Sequence, residues 1–131
     1  MLILTIRTDQ PQAELGLYDD IRSVDYEKWL AHRQLAETIH QKINNLLQRQ
    51  DKTLNDIRAM VVFRGPGSFT GLRIGITTAN ALAYALSLPI VAAGGLDWQE
   101  SGIAKVLKGA NDKLIVPEYG ALPHISKPSA R

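Results

Sequence analysis

The stretch RGPGSFTGLRIG occupies residues 64–75 and places four glycines and a proline within twelve residues. It directly follows the apolar run AMVVF, residues 59–63, which is typical of a strand buried on both faces of a sheet. A glycine-rich turn between a strand and a helix can hold a phosphate at the helix N-terminus. It can also let two chain segments approach closely, because glycine has no side chain. The fold and the function depend on which of these roles the stretch has.

The segment after the turn is predicted to be one long helix over residues 68–88, with Ser68 at its start and Pro89 beyond its end. Its polar residues form one narrow stripe, and the rest is apolar or small. The stripe consists of Arg73, Thr77, Asn80, Tyr84 and Ser87. One apolar flank consists of Leu72, Ile76, Ala79, Ala83 and Leu86, the other of Ile74, Ala81, Ala85 and Leu88, and Gly75 and Leu82 lie between the flanks.

A helix with two apolar flanks is expected to be covered on two sides. One flank can cover the sheet, and the other then needs either the third helix of the chain or another protein. Gly71 and Gly75, four residues apart, leave room for another backbone. The pattern alone does not decide which flank faces outward.

The remaining sequence predicts a mixed sheet of about five strands with covering helices. Strands are expected over residues 2–6, 13–18, 21–26, 59–63 and 90–93, with a candidate final strand over 114–116. A helix over residues 29–49 buries a stripe of Leu35, Ile39, Ile43, Leu46 and Leu47. A third helix is expected over residues 96–107.

Composition favours one α/β domain in the cytoplasm, without membrane segments. The chain has 131 residues, 45% of them hydrophobic, no cysteine and a formal net charge of +2. No apolar run reaches the length of a membrane span, and the N-terminus does not resemble a signal peptide. The positive charges are scattered, so they do not indicate direct binding of nucleic acid.

The sequence offers no catalytic or metal-binding constellation. His32 and His40 are eight residues apart, too far for a helical metal clamp, and His124 lies near prolines in the tail. The glycine stretch lacks the lysine of a phosphate-binding P-loop, and its spacing misses the dinucleotide fingerprint by one residue. We therefore expect no metal and no cofactor, although a nucleotide-binding enzyme that uses this loop stays open as an alternative.

The segment RGPGSFTGLRIGITTANALAYALSLPIVA, residues 64–92, resembles the TsaB (YeaZ) family. The family motif falls on Gly65, Pro66, Gly67, Ser68, Phe69, Thr70 and Gly71. The opening residues 2–8, the predicted first helix, and residues 117–119 with Pro123 are also similar to the family. The resemblance implies one actin/Hsp70/sugar-kinase-like (RNase H-like) lobe.

The resemblance also implies a function. Members of the family act as non-catalytic subunits in making threonylcarbamoyladenosine in tRNA, and they bind the transferase TsaD, or a second copy of themselves, through the first two helices. The ATPase TsaE joins the complex, and tRNA is reached only indirectly. The residues expected to bind the partner are Ile39, Ile43, Leu72, Arg73, Gly75, Ile76, Ala79, Asn80, Leu82, Ala83, Tyr84 and Leu86. A homodimer without a role beside TsaD stays open.

Two departures from the family pattern bear on this expectation. Residues 109–114 leave no room for the second lobe of typical members, so the chain is interpreted as a minimal member with a lobe over residues 1–116 and a tail over 117–131. Arg7 stands where the family usually has an aspartate after the first strand. A cation does not coordinate magnesium, so Arg7 argues against ATP hydrolysis by this chain. The missing second lobe argues in the same direction.

Overall fold

A computed structural model describes residues 1–117, except the side chains of His32 and Phe69. Beyond Pro117, the predicted tail lies outside the described residues, together with His124 and Pro123. The expectations for that segment stay predictions.

Five strands form a single mixed sheet, as predicted. They are β1 (Leu2–Arg7), β2 (Gln12–Asp19), β3 (Arg22–Leu30), β4 (Ala59–Phe63) and β5 (Ile90–Ala93). Their order across the sheet is β3-β2-β1-β4-β5. The first three strands pair antiparallel, and β4 and β5 join them in parallel. Every residue of β4 and β5 is buried, which agrees with parallel strands covered on both faces; β4 is central, whereas β5 is the edge strand of the sheet.

Three helices cover the sheet: α1 (Leu35–Arg49), α2 (Phe69–Leu86) and α3 (Trp98–Leu107). Gly71 of α2 contacts Thr8, just beyond β1, whereas Gly102 of α3 contacts Val61 of β4. Thr5 is paired with Val61, and side chains alternate along a strand, so Thr8 and Val61 belong to opposite faces. Hence α2 and α3 cover opposite faces, and α1 lies beside α2.

The predicted helix over residues 29–49 was wrong at its start. Trp29 and Leu30 extend β3, paired with Ala13 and Gln12 of β2, and α1 begins only at Leu35 after a short 3-10 turn. The buried stripe of α1 is the predicted one. The predicted start lies too close to the N-terminus, because the few residues at the boundary of an element carry little periodicity.

The predicted strand over residues 114–116 was also wrong. These residues lie in an irregular segment after α3. Helix α2 is confirmed, with Ser68 at the N-cap position, although the Ser68 side chain makes no capping hydrogen bond. Ser87 ends the helix in the left-handed conformation with φ +56°.

Candidate docking face and glycine loop

The glycine loop packs against the end of β1. A Cβ atom built on Gly67 would lie 2.6 Å from the Asp9 Cβ. On Gly71 it would lie inside 3.0 Å of the Thr8 carbonyl oxygen, and on Gly75 inside 3.0 Å of the Thr8 Oγ1. Real Cβ atoms do not approach other atoms this closely, so only glycine allows these contacts.

Thr8 therefore lies directly on the first two turns of α2. Its Oγ1 donates a hydrogen bond of 2.7 Å to the Gly71 carbonyl, and its side chain is buried. The close backbone approach expected at Gly71 and Gly75 takes place, but the approaching segment belongs to the same chain. Gly75, which was expected to contact a partner, is buried beneath Thr8.

Arg7 is part of a cluster with Asp9, Phe63 and Trp98. Its Nε donates to Asp9 Oδ1 over 2.7 Å, and its guanidinium carbon lies 3.9 Å from the centroid of the Phe63 ring. Phe63 meets Trp98 edge-on, with ring centroids 5.8 Å apart. The Asp9 carboxylate, paired with Arg7, also faces Gly67, so the Asp9 side chain occupies the space beside the glycine loop.

The structure corrects the expected partner-binding set. Six of its members, four on α2 and two on α1, are at most 3% exposed and belong to the core: Leu72, Ile76, Ala79, Ala83, Ile39 and Ile43. Leu82 and Leu86 are half-buried. The flank of α2 with the larger side chains therefore packs into the lobe, because burial of leucine and isoleucine removes the most apolar surface from water.

Asn80 was expected at the rim of the partner interface, but it binds the segment after α3. Its Nδ2 donates to the Ile115 carbonyl over 3.0 Å, and the Ile115 N–H donates to its Oδ1 over 2.9 Å. This reciprocal pair imitates the pairing of two backbones and uses both functions of the amide.

The other flank of α2 faces outward. Arg73 and Tyr84 are exposed as predicted, and Tyr84 keeps 90% of its surface. Ala81 and Ala85 are exposed as well, and Ile74 is half-buried. We call this surface, with the adjoining side of α1, the docking face; it consists of Ala36, His40, Thr70, Arg73, Ile74, Thr77, Ala81, Tyr84 and Ala85.

A groove of about 350 Å³ runs between α1 and α2 within the docking face. Ala36 and His40 contribute from α1, whereas Arg73, Ile74 and Thr77 contribute from α2. Ala36 and His40 were not predicted as site residues from the sequence. Their i, i+4 spacing is a signal that could have found them, since it places both on the same side of α1.

Charged side chains fasten α1 to β3. Arg49 Nε donates to Asp25 Oδ2 over 3.0 Å, and Arg49 Nη1 donates to Glu27 Oε1 over 2.7 Å. Lys42 Nζ lies 3.6 Å from Glu27 Oε2. The hydrogen bond from Arg49 is the main reason that the pKa of Asp25 falls from its ordinary 3.8 to about 2. These ion pairs join the middle and the C-terminal end of α1 to β3.

Other kinds of site find no support in the described part of the chain. Among residues 1–117, no three His, Asp or Glu side chains are grouped so that they could hold a metal ion. None of the helices in that range has the length and apolar character needed to cross a membrane.

Comparison with known proteins supports the family resemblance. Residues 29–98 match the family model described as TsaD, tRNA N6-adenosine threonylcarbamoyltransferase. The tRNA threonylcarbamoyladenosine biosynthesis protein TsaB of Escherichia coli is 32% identical over 120 residues, which cover 87% of this chain and 52% of that protein. A tRNA N6-adenosine threonylcarbamoyltransferase of Geotalea daltonii is 38% identical over 102 residues, which cover 78% of this chain and 28% of that protein.

A solved structure agrees with the sequence matches. YeaZ from Pseudomonas aeruginosa superimposes with a TM-score of 0.67 and 27% identity, over 77% of this chain and 50% of that one. The predicted actin/Hsp70/sugar-kinase-like (RNase H-like) lobe is thereby confirmed. The chain spans about half the length of the curated TsaB relatives that it matches. The predicted resemblance to the TsaB (YeaZ) family is confirmed, and the chain belongs to the family whose TsaD model matches residues 29–98, more than half of its length.

Proposed function

We propose that this chain is a non-catalytic, cytoplasmic subunit in the biosynthesis of threonylcarbamoyladenosine in tRNA, and that it binds a TsaD transferase through the docking face. The names of its TsaB relatives support the pathway. The observation that carries the proposal is the outward flank of α2, where small and apolar side chains surround the exposed Tyr84.

The docking face has the chemistry of a helix-binding surface. Ala81 and Ala85 are one turn apart and both exposed, so another helix can approach α2 closely there. Tyr84 offers a large amphipathic side chain of the kind enriched at the centres of interfaces. Helix α2 carries no acidic residue, and Arg73 supplies its one formal charge. A stable interface of usual size buries about 800 Å² on each partner, and two adjacent helices can present that area.

The alternative of a nucleotide-binding enzyme finds less support. The glycines of this stretch are in contact with Thr8 and Asp9, so side chains of the same protein already occupy the space where a phosphate would have to lie beside Gly67. Titration calorimetry of the full chain with ATP and magnesium is expected to give no saturable heat. A saturable signal that Gly67→Asp abolishes would favour the enzyme instead.

Co-expression with TsaD of the same organism, followed by size-exclusion chromatography, tests the proposal. The wild-type chain is expected to co-elute with TsaD. Ala85→Glu places a charge on the docking face and should abolish co-elution, whereas Ala104→Glu, on an exposed position of α3, should leave it intact. Equal behaviour of the two variants would contradict the docking face.

The same experiment separates the remaining alternatives. A chain that elutes as a homodimer and never joins TsaD would favour a homodimer without a TsaD role. If the proposal holds, TsaE added afterwards joins the chain–TsaD complex, and tRNA binds the complex but not the isolated chain.

A further inference from the structure

The outer edge of β5 is closed although no strand pairs with it. Strand β5 is the last strand in the sheet and pairs with β4 on its inner side. On that side, the backbone N–H groups of Met60 and Arg64 donate to the carbonyls of Pro89 and Ala93. The N–H and carbonyl groups of Ile90 and Ala92 point the other way. An edge of this kind normally presents unpaired backbone groups that invite another strand.

All four of those outward backbone groups have partners. The Ile90 N–H donates to Asn111 Oδ1 over 3.1 Å, and the Ile90 carbonyl accepts from the Asp112 N–H over 2.8 Å. The Ala92 N–H donates to Asp112 Oδ2 over 2.9 Å, and the Ala92 carbonyl accepts from Lys105 Nζ over 3.2 Å. Three of the four partners are side-chain atoms.

The segment after α3 supplies three of these four partners, the fourth being Lys105 of α3, and it is itself fixed to α2. Asn80 binds the backbone of Ile115 in both directions, and the Ile115 side chain is buried. Asn111 Oδ1 also accepts from the Lys113 N–H over 2.9 Å, which holds the turn in shape. On the other side of the residues that contact β5, the Ala110 N–H donates to the Lys105 carbonyl of α3 over 3.0 Å, so the segment is anchored at both ends.

We propose that residues 110–116 are a strand surrogate: they close the edge of β5 against the addition of a strand from a second copy of the chain, and Asn80 is the residue that positions them. Side-chain oxygens of Asn111 and Asp112 replace the carbonyls that a sixth strand would supply. Because these oxygens come from a turn, the segment satisfies β5 without presenting a new edge of its own.

Amide hydrogen exchange in the full chain, followed residue by residue by NMR, tests the role of Asp112. In Asp112→Ala the amide of Ala92 loses its acceptor and should exchange about tenfold faster. In Asp112→Asn an acceptor oxygen is retained, so the rate should stay close to that of the wild type. The amide of Val62 in β4 serves as the internal reference, since it stays slow as long as the sheet is intact.

The positioning role of Asn80 has its own test. Asn80→Ala should accelerate exchange at both Ile90 and Ala92, whereas Thr77→Ala, one turn earlier on an exposed position of α2, should not. The double variant Asn111→Ala/Asp112→Ala should in addition self-associate in analytical ultracentrifugation as concentration rises.

Three results would overturn the proposal. Unchanged exchange at Ala92 in Asp112→Ala would show that the side chain does not close the edge. Unchanged exchange in Asn80→Ala would remove its positioning role. Fast exchange in a double variant that stays monomeric would show that the segment is not what blocks strand addition.

Discussion

At the scale of single residues, the glycines of α2 are best understood through Thr8. The Thr8 hydroxyl is bonded to the Gly71 carbonyl, so the threonine cannot turn away from the helix without breaking that bond. A methyl group at Gly75 would collide with the same hydroxyl. The end of β1 and the first two turns of α2 are thus held in close contact, which is possible because Gly71 and Gly75 have no side chains.

Gly75→Ala should therefore destabilise the lobe, although alanine favours helix. Overpacking of a close contact costs about 1–3 kcal/mol, and alanine recovers about 1 kcal/mol of helix propensity. We expect the free energy of unfolding to fall by up to about 2 kcal/mol, measured by urea denaturation. In a Thr8→Ala background, where the colliding Oγ1 is absent, Gly75→Ala should cost clearly less. The same cost in both backgrounds would contradict the Thr8 contact.

The residue scale also shows where prediction from the sequence stopped. The spacing of Gly71 and Gly75 predicted a close backbone approach, which is confirmed, but it could not name the segment that approaches. Thr8 and Gly71 are 63 positions apart, and no local pattern connects them. Asn80 gave no signal either, because an amide on a polar stripe fits an exposed rim as well as a buried backbone contact.

At the scale of elements, α2 divides its two apolar flanks between the core and the surface. The pattern predicted both flanks, but it left open which one faces outward. The side chains decide this, because leucine and isoleucine at positions 72 and 76 gain more from burial than alanines at 81 and 85. The docking face is consequently built from small residues around Tyr84.

A matched pair of substitutions on α2 tests this division. Ala79 is fully buried and Ala81 is exposed. Ala79→Asp places a carboxylate in the core and should lower the free energy of unfolding by more than about 3 kcal/mol, or prevent folding. Ala81→Asp should cost less than about 1 kcal/mol, chiefly through helix propensity. Thermal unfolding followed by circular dichroism measures both, and equal losses would mean that the flanks are assigned wrongly.

The tie between α1 and β3 should depend on pH. The folded pKa of Asp25, about 2, lies below its ordinary value of 3.8, so its contribution is complete above pH 4 and is lost as pH falls toward 2. Because Arg49 is partly exposed, we expect about 1 kcal/mol at most. Urea unfolding of Asp25→Asn should show a deficit at pH 5 that shrinks by pH 2.5. A deficit that stays the same at pH 2.5 would contradict a contribution from the ionised Asp25 carboxylate.

Element boundaries were the least predictable feature of the fold. Trp29 and Leu30 continue β3 because Ala13 and Gln12 of β2 extend far enough to pair with them, and the sequence around residue 29 does not record that pairing. Residues 114–116 look like a strand in sequence, but side chains of Asn111 and Asp112 occupy the edge that such a strand would need. In both places a contact distant in sequence decided the outcome.

At the scale of the whole molecule, the long family motif predicted the fold class, and the sheet of five strands confirms it. Short patterns alone predicted the layers but not the two edges of the sheet. The assignment of residues 1–116 to a single lobe stays a prediction. The cooperativity of unfolding tests it, because different helices cover the two faces of the sheet and could separate as the lobe unfolds.

The two tryptophans make that test possible by fluorescence. Trp98, the first residue of α3, is buried against Phe63 of β4, whereas the indole N–H of Trp29 donates to Thr38 of α1. Trp98→Phe and Trp29→Phe each leave one emitting ring, which reports on one face of the sheet. If the lobe is one cooperative unit, the two probes should agree within each variant. The fraction unfolded measured by tryptophan emission should then coincide with the fraction unfolded measured by circular dichroism, with the same midpoint. If the emission of one tryptophan shows exposure to solvent before the helical circular dichroism signal is lost, the layer that contains this tryptophan unfolds first. Each face of the sheet therefore carries its own fluorescent reporter of unfolding.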